Sequence, residues 1–96
     1  VTDAGALAVT DDLTVTATGY PITIDSPTGT VGGNIIATGT NIAITDNSAV
    51  TLGAISASGK LTIIAGGDVT DGATISTSST TTITATGKNI TLDEVA

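Results

Sequence analysis

Apolar and polar residues alternate along this chain in short bursts, without helical spacing. In LTVTA (13–17), Leu13, Val15 and Ala17 fall on one side of an extended strand and Thr14 and Thr16 on the other. The same alternation recurs in PITID, TNIAITD, AVTLG, KLTIIAG, DVTDG, TTTITAT and NITLD. Each burst is rich in β-branched residues and bounded by Gly, Asn, Asp or Ser, the pattern of short strands ended by turns. No segment sets apolar residues at i, i+3, i+4 and i+7 among good helix formers, so no helix is predicted.

The bursts are periodic. Residues 1–25 align without a gap to residues 69–93, sharing VTD at the start and TATG and IT further on. Leu7/Ile75, Val15/Ile83 and Ile24/Leu92 are conservative pairs at the same offset of 68. A shorter period lies inside: Ile35, Ile55, Ile75 and Val95 recur every 20 residues, as do Gly39, Gly59 and Ser79. A period of this length is the mark of a solenoid, in which each turn buries its apolar face against its neighbours.

The expected fold is therefore all-β, a right-handed parallel β-helix of about 20 residues per turn, with three short strands per turn and about four to five turns. The first face is expected to hold Leu13/Val15, Ile42/Ile44, Leu61/Ile63 and Thr81/Ile83, with Val15, Ile44, Ile63 and Ile83 as one inward column. Ile22/Ile24, Val50/Leu52, Val69 and Ile90/Leu92 form the second face. Leu7/Val9, Ile35/Ala37, Ile55/Ala57, Ile75/Thr77 and Val95 form the third, with Ile35, Ile55, Ile75 and Val95 directly above one another. Residues 1–96 make one β-helix segment, with a loop insertion at 25–34 (DSPTGTVGGN) that absorbs the excess of a first turn running from Leu7 to Ile35. Corners are expected at Gly19, Gly39, Gly59 and Gly87, where a positive φ or a missing side chain is needed. The competing architecture, an immunoglobulin-like sandwich, wants a large aromatic core and about seven strands in about 100 residues.

Composition narrows the chemistry. The chain lacks Cys, Met, Trp, Phe and His, and Tyr20 is its only aromatic residue. Disulfides, zinc and Ser-His-Asp or Cys-His catalysis are thereby excluded. A net charge of −7, with Lys60 and Lys88 the only bases, speaks against nucleic acid and against anionic membrane surfaces. No apolar run reaches membrane-spanning length. The chain opens on Val1 and shows no signal peptide, so it reads as a mature product or a piece of a longer repeat array.

Strings such as ASGKLTIIAGGDVTDGATIS and ATGKNITLD resemble the repeats of filamentous-haemagglutinin-like exoproteins, large secreted bacterial surface proteins. The resemblance covers nearly the whole chain, least well at DSPTGTVGGN. It implies secretion to the cell surface, a long β-helical rod, and adhesion, biofilm or toxin-delivery roles for the parent. It carries over no functional residue, because the repeats have no catalytic motif.

The outward threonines are the main candidate for a binding surface. Thr23, Thr51, Thr70 and Thr91 are expected to form one ladder on the second face, of the kind that presents ordered water to ice or hydroxyls to a glycan. Thr14/Thr16, Thr62 and Thr82/Thr84 make broken rows on the first, interrupted at Ala43 and Ile64. The plainer reading is that Thr is the best polar residue for an exposed strand.

The acidic pairs Asp11/Asp12, Asp68/Asp71 and Asp93/Glu94 could serve a hydrolase only if two faced a common cleft, and no base neighbours them; they read as solvated corners. AGGDVTDGA misses the glycine and aspartate spacing of a calcium β-roll. Tyr20-Pro21 reads as a corner partly covered by the 25–34 segment. Asn89-Ile90-Thr91 matches a glycosylation acceptor without meaning in a bacterial protein, and GTVGGN lacks the Lys and helix of a phosphate loop.

The chain is accordingly expected to be a structural shaft of a secreted or cell-surface filament, not an enzyme, with no cofactor and no metal. Its expected partners are flanking repeats, end-to-end copies of itself, or a host glycan or surface. A binding module for ice or glycan is the alternative.

Overall fold

A computed structural model describes residues 2–3, 8–26, 30–46 and 48–92. These form thirteen strands and no helix: β1 (Thr2–Asp3), β2 (Ala8–Val9), β3 (Leu13–Thr16), β4 (Ile22–Ser26), β5 (Thr30–Val31), β6 (Asn34–Gly39), β7 (Ile42–Asp46), β8 (Val50–Ala57), β9 (Leu61–Ala65), β10 (Val69–Asp71), β11 (Ile75–Thr77), β12 (Thr81–Thr84) and β13 (Ile90–Thr91). Every described pairing is parallel. That removes the sandwich, which is built on antiparallel sheets. The chain is a parallel solenoid of about four turns, roughly 20 residues each.

Two sheets carry the coil. One stacks β1, β4, β7, β9 and β12 in that order. The other runs β13, β10, β8, β6, β3, with β11 beside β8, and a short ladder joins β2 to β5. Five strands leave four spacings of about 4.8 Å, or about 19 Å. The shortest dimension of the molecule is 21 Å against 28 Å for the other two, so this stretch is wider than it is tall.

Strand alternation follows the sequence. β7 buries Ile42, Ile44 and Asp46, and β9 buries Leu61, Ile63 and Ala65, while Ala43, Thr45, Thr62 and Ile64 face outward. Small branched residues suffice because each inward side chain lies against its counterpart one layer away and is sealed from water by both neighbours. Ile42, Ile44, Leu61 and Ile63 are at most 1% exposed.

The face assignment at the N-terminal end needs correction. Leu13 and Val15 do not head the column of Ile44, Ile63 and Ile83; Ile24 does, through Ile24↔Ile44. Ile22 and Ile24 thus belong to the first sheet and not with Val50 and Leu52. Leu13 pairs with Ile35 and Val15 with Ala37. The alternation is the same on every face, so the Leu-x-Val pattern fixes which side chains point inward but not which face they line.

The column of Ile35, Ile55, Ile75 and Val95 is also shifted. Ile55 lies on Ile75 as expected, but Ile35 pairs with Leu52, and Ala37 pairs with Ile55. β8 holds Gly53 and Ala54 between those partners where β6 has only Ile36, so a bulge moves the register by one inward place. Gly53 makes this feasible: a Cβ there would come 2.7 Å from Ile36 Cγ1. Val95 lies outside the described residues. Through the bulge β8 spans both the second and third faces as a single strand, so this turn has two strands, not three.

Of the segment expected as a loop, Asp25 and Ser26 extend β4, Thr30 and Val31 form β5, and Asn34 opens β6; residues 27–29 lie outside the described residues. The turn there is not long: Ile22 pairs with Ile42, a step of 20 residues.

The corners use glycine in two ways. Gly19 and Gly87 have φ of 83° and 73°, and each sits third in a tight turn closed by Tyr20 N donating to Ala17 O and Lys88 N donating to Ala85 O, both at 2.9 Å. Gly39 and Gly59 instead permit close approach. A Cβ on Gly39 would lie 2.9 Å from the Tyr20 carbonyl oxygen, and one on Gly59 would collide with Asn41 Oδ1.

Candidate functional site

Three of the four threonines of the expected ladder are brought together. Thr51, Thr70 and Thr91 stack in successive layers, Thr70 and Thr91 exposed and Thr51 half-buried. The layer beyond Thr51 holds Asn34, not Thr23. Thr23 lies in the other sheet, where it heads an outward column continued by Ala43, Thr62 and Thr82. The neighbouring column reads Asp25, Thr45, Ile64, Thr84, and Ile64 is 46% exposed. The first sheet therefore has no unbroken hydroxyl surface. Thr14, expected in its rows, pairs with Ile36 instead.

A longer hydroxyl column went unforeseen. Thr16, Thr38, Ser56 and Ser76 follow one another through four layers of the second sheet. It is hidden in the sequence because the steps are unequal and the residue type changes from Thr to Ser. Both hydroxyl columns cross β8, at Thr51 and Ser56, on either side of the bulge.

The acidic residues serve the backbone. Asp12 precedes β3, and its Oδ1 accepts from Asn34 N one layer on at 2.8 Å. Asn41 precedes β7 and accepts from Lys60 N at 2.9 Å. Asp68 precedes β10 and accepts from Asn89 N at 3.1 Å. In each case a corner side chain captures the N–H at the matching corner of the following layer, where a backbone donor stands just outside a strand. Asp71 continues β10 opposite Leu52, and Asp93 and Glu94 lie outside the described residues.

One acid is buried. Asp46, 4% exposed, closes β7 and takes hydrogen bonds from Ser48 N (3.0 Å) and Ser48 Oγ (2.8 Å) on the same oxygen. Its position two residues before a serine is the signal of an Asx turn. The glycines of AGGDVTDGA join the inter-layer ladder, Gly66 N donating to Asp46 O and Gly67 N to Ser48 O. Tyr20 stands 69% exposed at its corner and is not sheltered by the 25–34 segment.

Among the described residues there is no pocket, no group of three or more potential metal ligands, and no helix long and apolar enough to cross a membrane. The arrangement offers flat polar columns and hydrogen-bonded corners.

No curated protein and no solved structure matches the chain. A family of repeats of unknown function, DUF5649, matches residues 39–96, the stretch that contains the most regular layers, and the chain belongs to that family.

Proposed function

We propose that this chain is a structural shaft segment of an extracellular bacterial filament of the adhesin or exoprotein kind, a spacer and not a catalyst. The observation that carries the reading is the use of its polar residues. Asp12, Asn41 and Asp68, the side chains best suited to chemistry, bind the backbone of the adjoining layer, and Asp46 closes its own corner. In a solenoid stability is a sum of layer and interface terms, so length can change without rebuilding a site. The acidic surface suits a long β protein that must stay soluble outside the cell.

Duplicating residues 61–80, which span one layer step by Leu61↔Thr81, tests the reading. The longer chain is expected to fold, to gain about 4.8 Å in height by small-angle scattering, and to melt later. Unfolding of the insertion variant would count against a shaft, as would saturable glycan binding or thermal hysteresis that disappears in Thr70→Lys. The second outcome would favour the binding module, whose support is the pair of hydroxyl columns on β8.

A further inference from the structure

The described lower end of the solenoid presents three strands with one free edge: β12 ends the first sheet, β13 ends the second, and β11 pairs only with β8. At the upper end β3 and β1 are likewise paired on one side only. The inward columns run out at both ends. Val15 heads the column of Ala37, Ile55 and Ile75, and Ile83 closes that of Ile24, Ile44 and Ile63; Val15 and Ile83 are only half-buried, while the members between are buried.

The corner acceptors give the stack a direction. Asp12, Asn41 and Asp68 each accept from the layer that follows in sequence. Asn89 occupies the next place in that series: it precedes β13 as Asp68 precedes β10, and it is exposed. An acceptor of this kind is matched by the backbone N–H of one further parallel layer.

We propose that the lower end docks the upper end of a second copy, head to tail, with β12 pairing to the partner copy's equivalent of β1 and the Asn89 carboxamide accepting from its backbone. This deepens the shaft reading and rests on it. A second copy fits because its upper turn offers the same two-sheet section, the same inward columns and the same parallel strand direction. Lower end against lower end would force antiparallel pairs, which occur nowhere among the described strands. Such a contact is heterologous and does not close on itself, so assembly continues beyond the dimer. The net charge of −7 opposes it, and salt relieves that repulsion.

The experiment is sedimentation velocity on the 96-residue chain over a range of protein and salt concentrations. The expected result is a mass that rises through dimer to longer species and rises further with salt. Ile83→Glu, blocking the lower end, and Val15→Glu, blocking the upper, should each stay monomeric alone and combine as a dimer when mixed. Asn89→Ala leaves the apolar columns untouched and should weaken association; circular dichroism checks that each variant folds. A wild-type chain monomeric under all conditions overturns the proposal, as does a closed dimer indifferent to both blocks or a mixture of blocked variants that fails to pair. A monomer that still accepts the duplicated layer overturns the docking and leaves the shaft standing; a chain that assembles but rejects that layer counts against the shaft.

Discussion

Replacing Ile63 by Ala tests the layered core directly. Ile63 is 0% exposed and lies between Ile44 and Ile83 in adjacent layers. The change deletes three carbons, about 2.4 kcal/mol at about 0.8 kcal/mol per buried group. The strands above and below are held by their ladders and cannot collapse into the gap, so a cavity term of about 1–2 kcal/mol adds to it. The expected loss is about 4 kcal/mol, a large share of the roughly 5–15 kcal/mol that a domain commands. Ile83→Ala makes the same chemical change where one neighbouring layer is missing and the side chain is only half-buried, and should cost roughly half as much or less. Urea denaturation followed by circular dichroism measures both. Equal losses at the two positions, or a loss at Ile63 under about 1 kcal/mol, would refute the idea that burial between layers holds the fold.

Other substitutions probe the corners and surfaces. Gly67→Ala sets a Cβ 2.6 Å from Ala49 N, a backbone atom that cannot rotate away, and should cost more than about 2 kcal/mol, whereas Gly72→Ala, with nothing nearer than 3.7 Å, should be nearly neutral on thermal melting. Gly19→Ala meets no atom within 4 Å and should lose only the left-handed backbone cost, about 1–2 kcal/mol. Asn41→Ala removes the bond to Lys60 N and should cost about 1 kcal/mol; Gly59→Ala displaces the same carboxamide, so a double-mutant cycle should show the two losses to be less than additive. Thr70→Lys on the exposed column should leave the urea midpoint within about 0.5 kcal/mol of the parent.

Much of the fold was legible in the sequence, for a physical reason. A stacked coil repeats one environment, so the alternation in IAITD and LTIIA and the step from Ile55 to Ile75 both emerge as periodicity. Which face a strand lines is decided by the corners, whose spacing varies. Hence Leu13 and Val15 were assigned to the wrong face, although the segment containing them aligns without a gap to residues 69–93. Within the candidate surface the same limit separates Thr51, Thr70 and Thr91, found stacked, from Thr23, found on the other sheet. The corner acceptors escaped notice because Asp12, Asn41 and Asp68 reach partners 22, 19 and 21 positions away. A polar residue just before a strand is their only trace in the sequence.

The strands run across the long axis of any extended array, so their hydrogen bonds lie along it. Tension on the two ends of such an array would load these bonds by peeling, a few at a time, and not by shearing whole strands. Each released layer would pay out roughly 70 Å of chain, at about 3.5 Å for each of roughly 20 residues. A filament built this way would yield in many small, even steps, lengthening under a sudden pull while most of its layers stay folded.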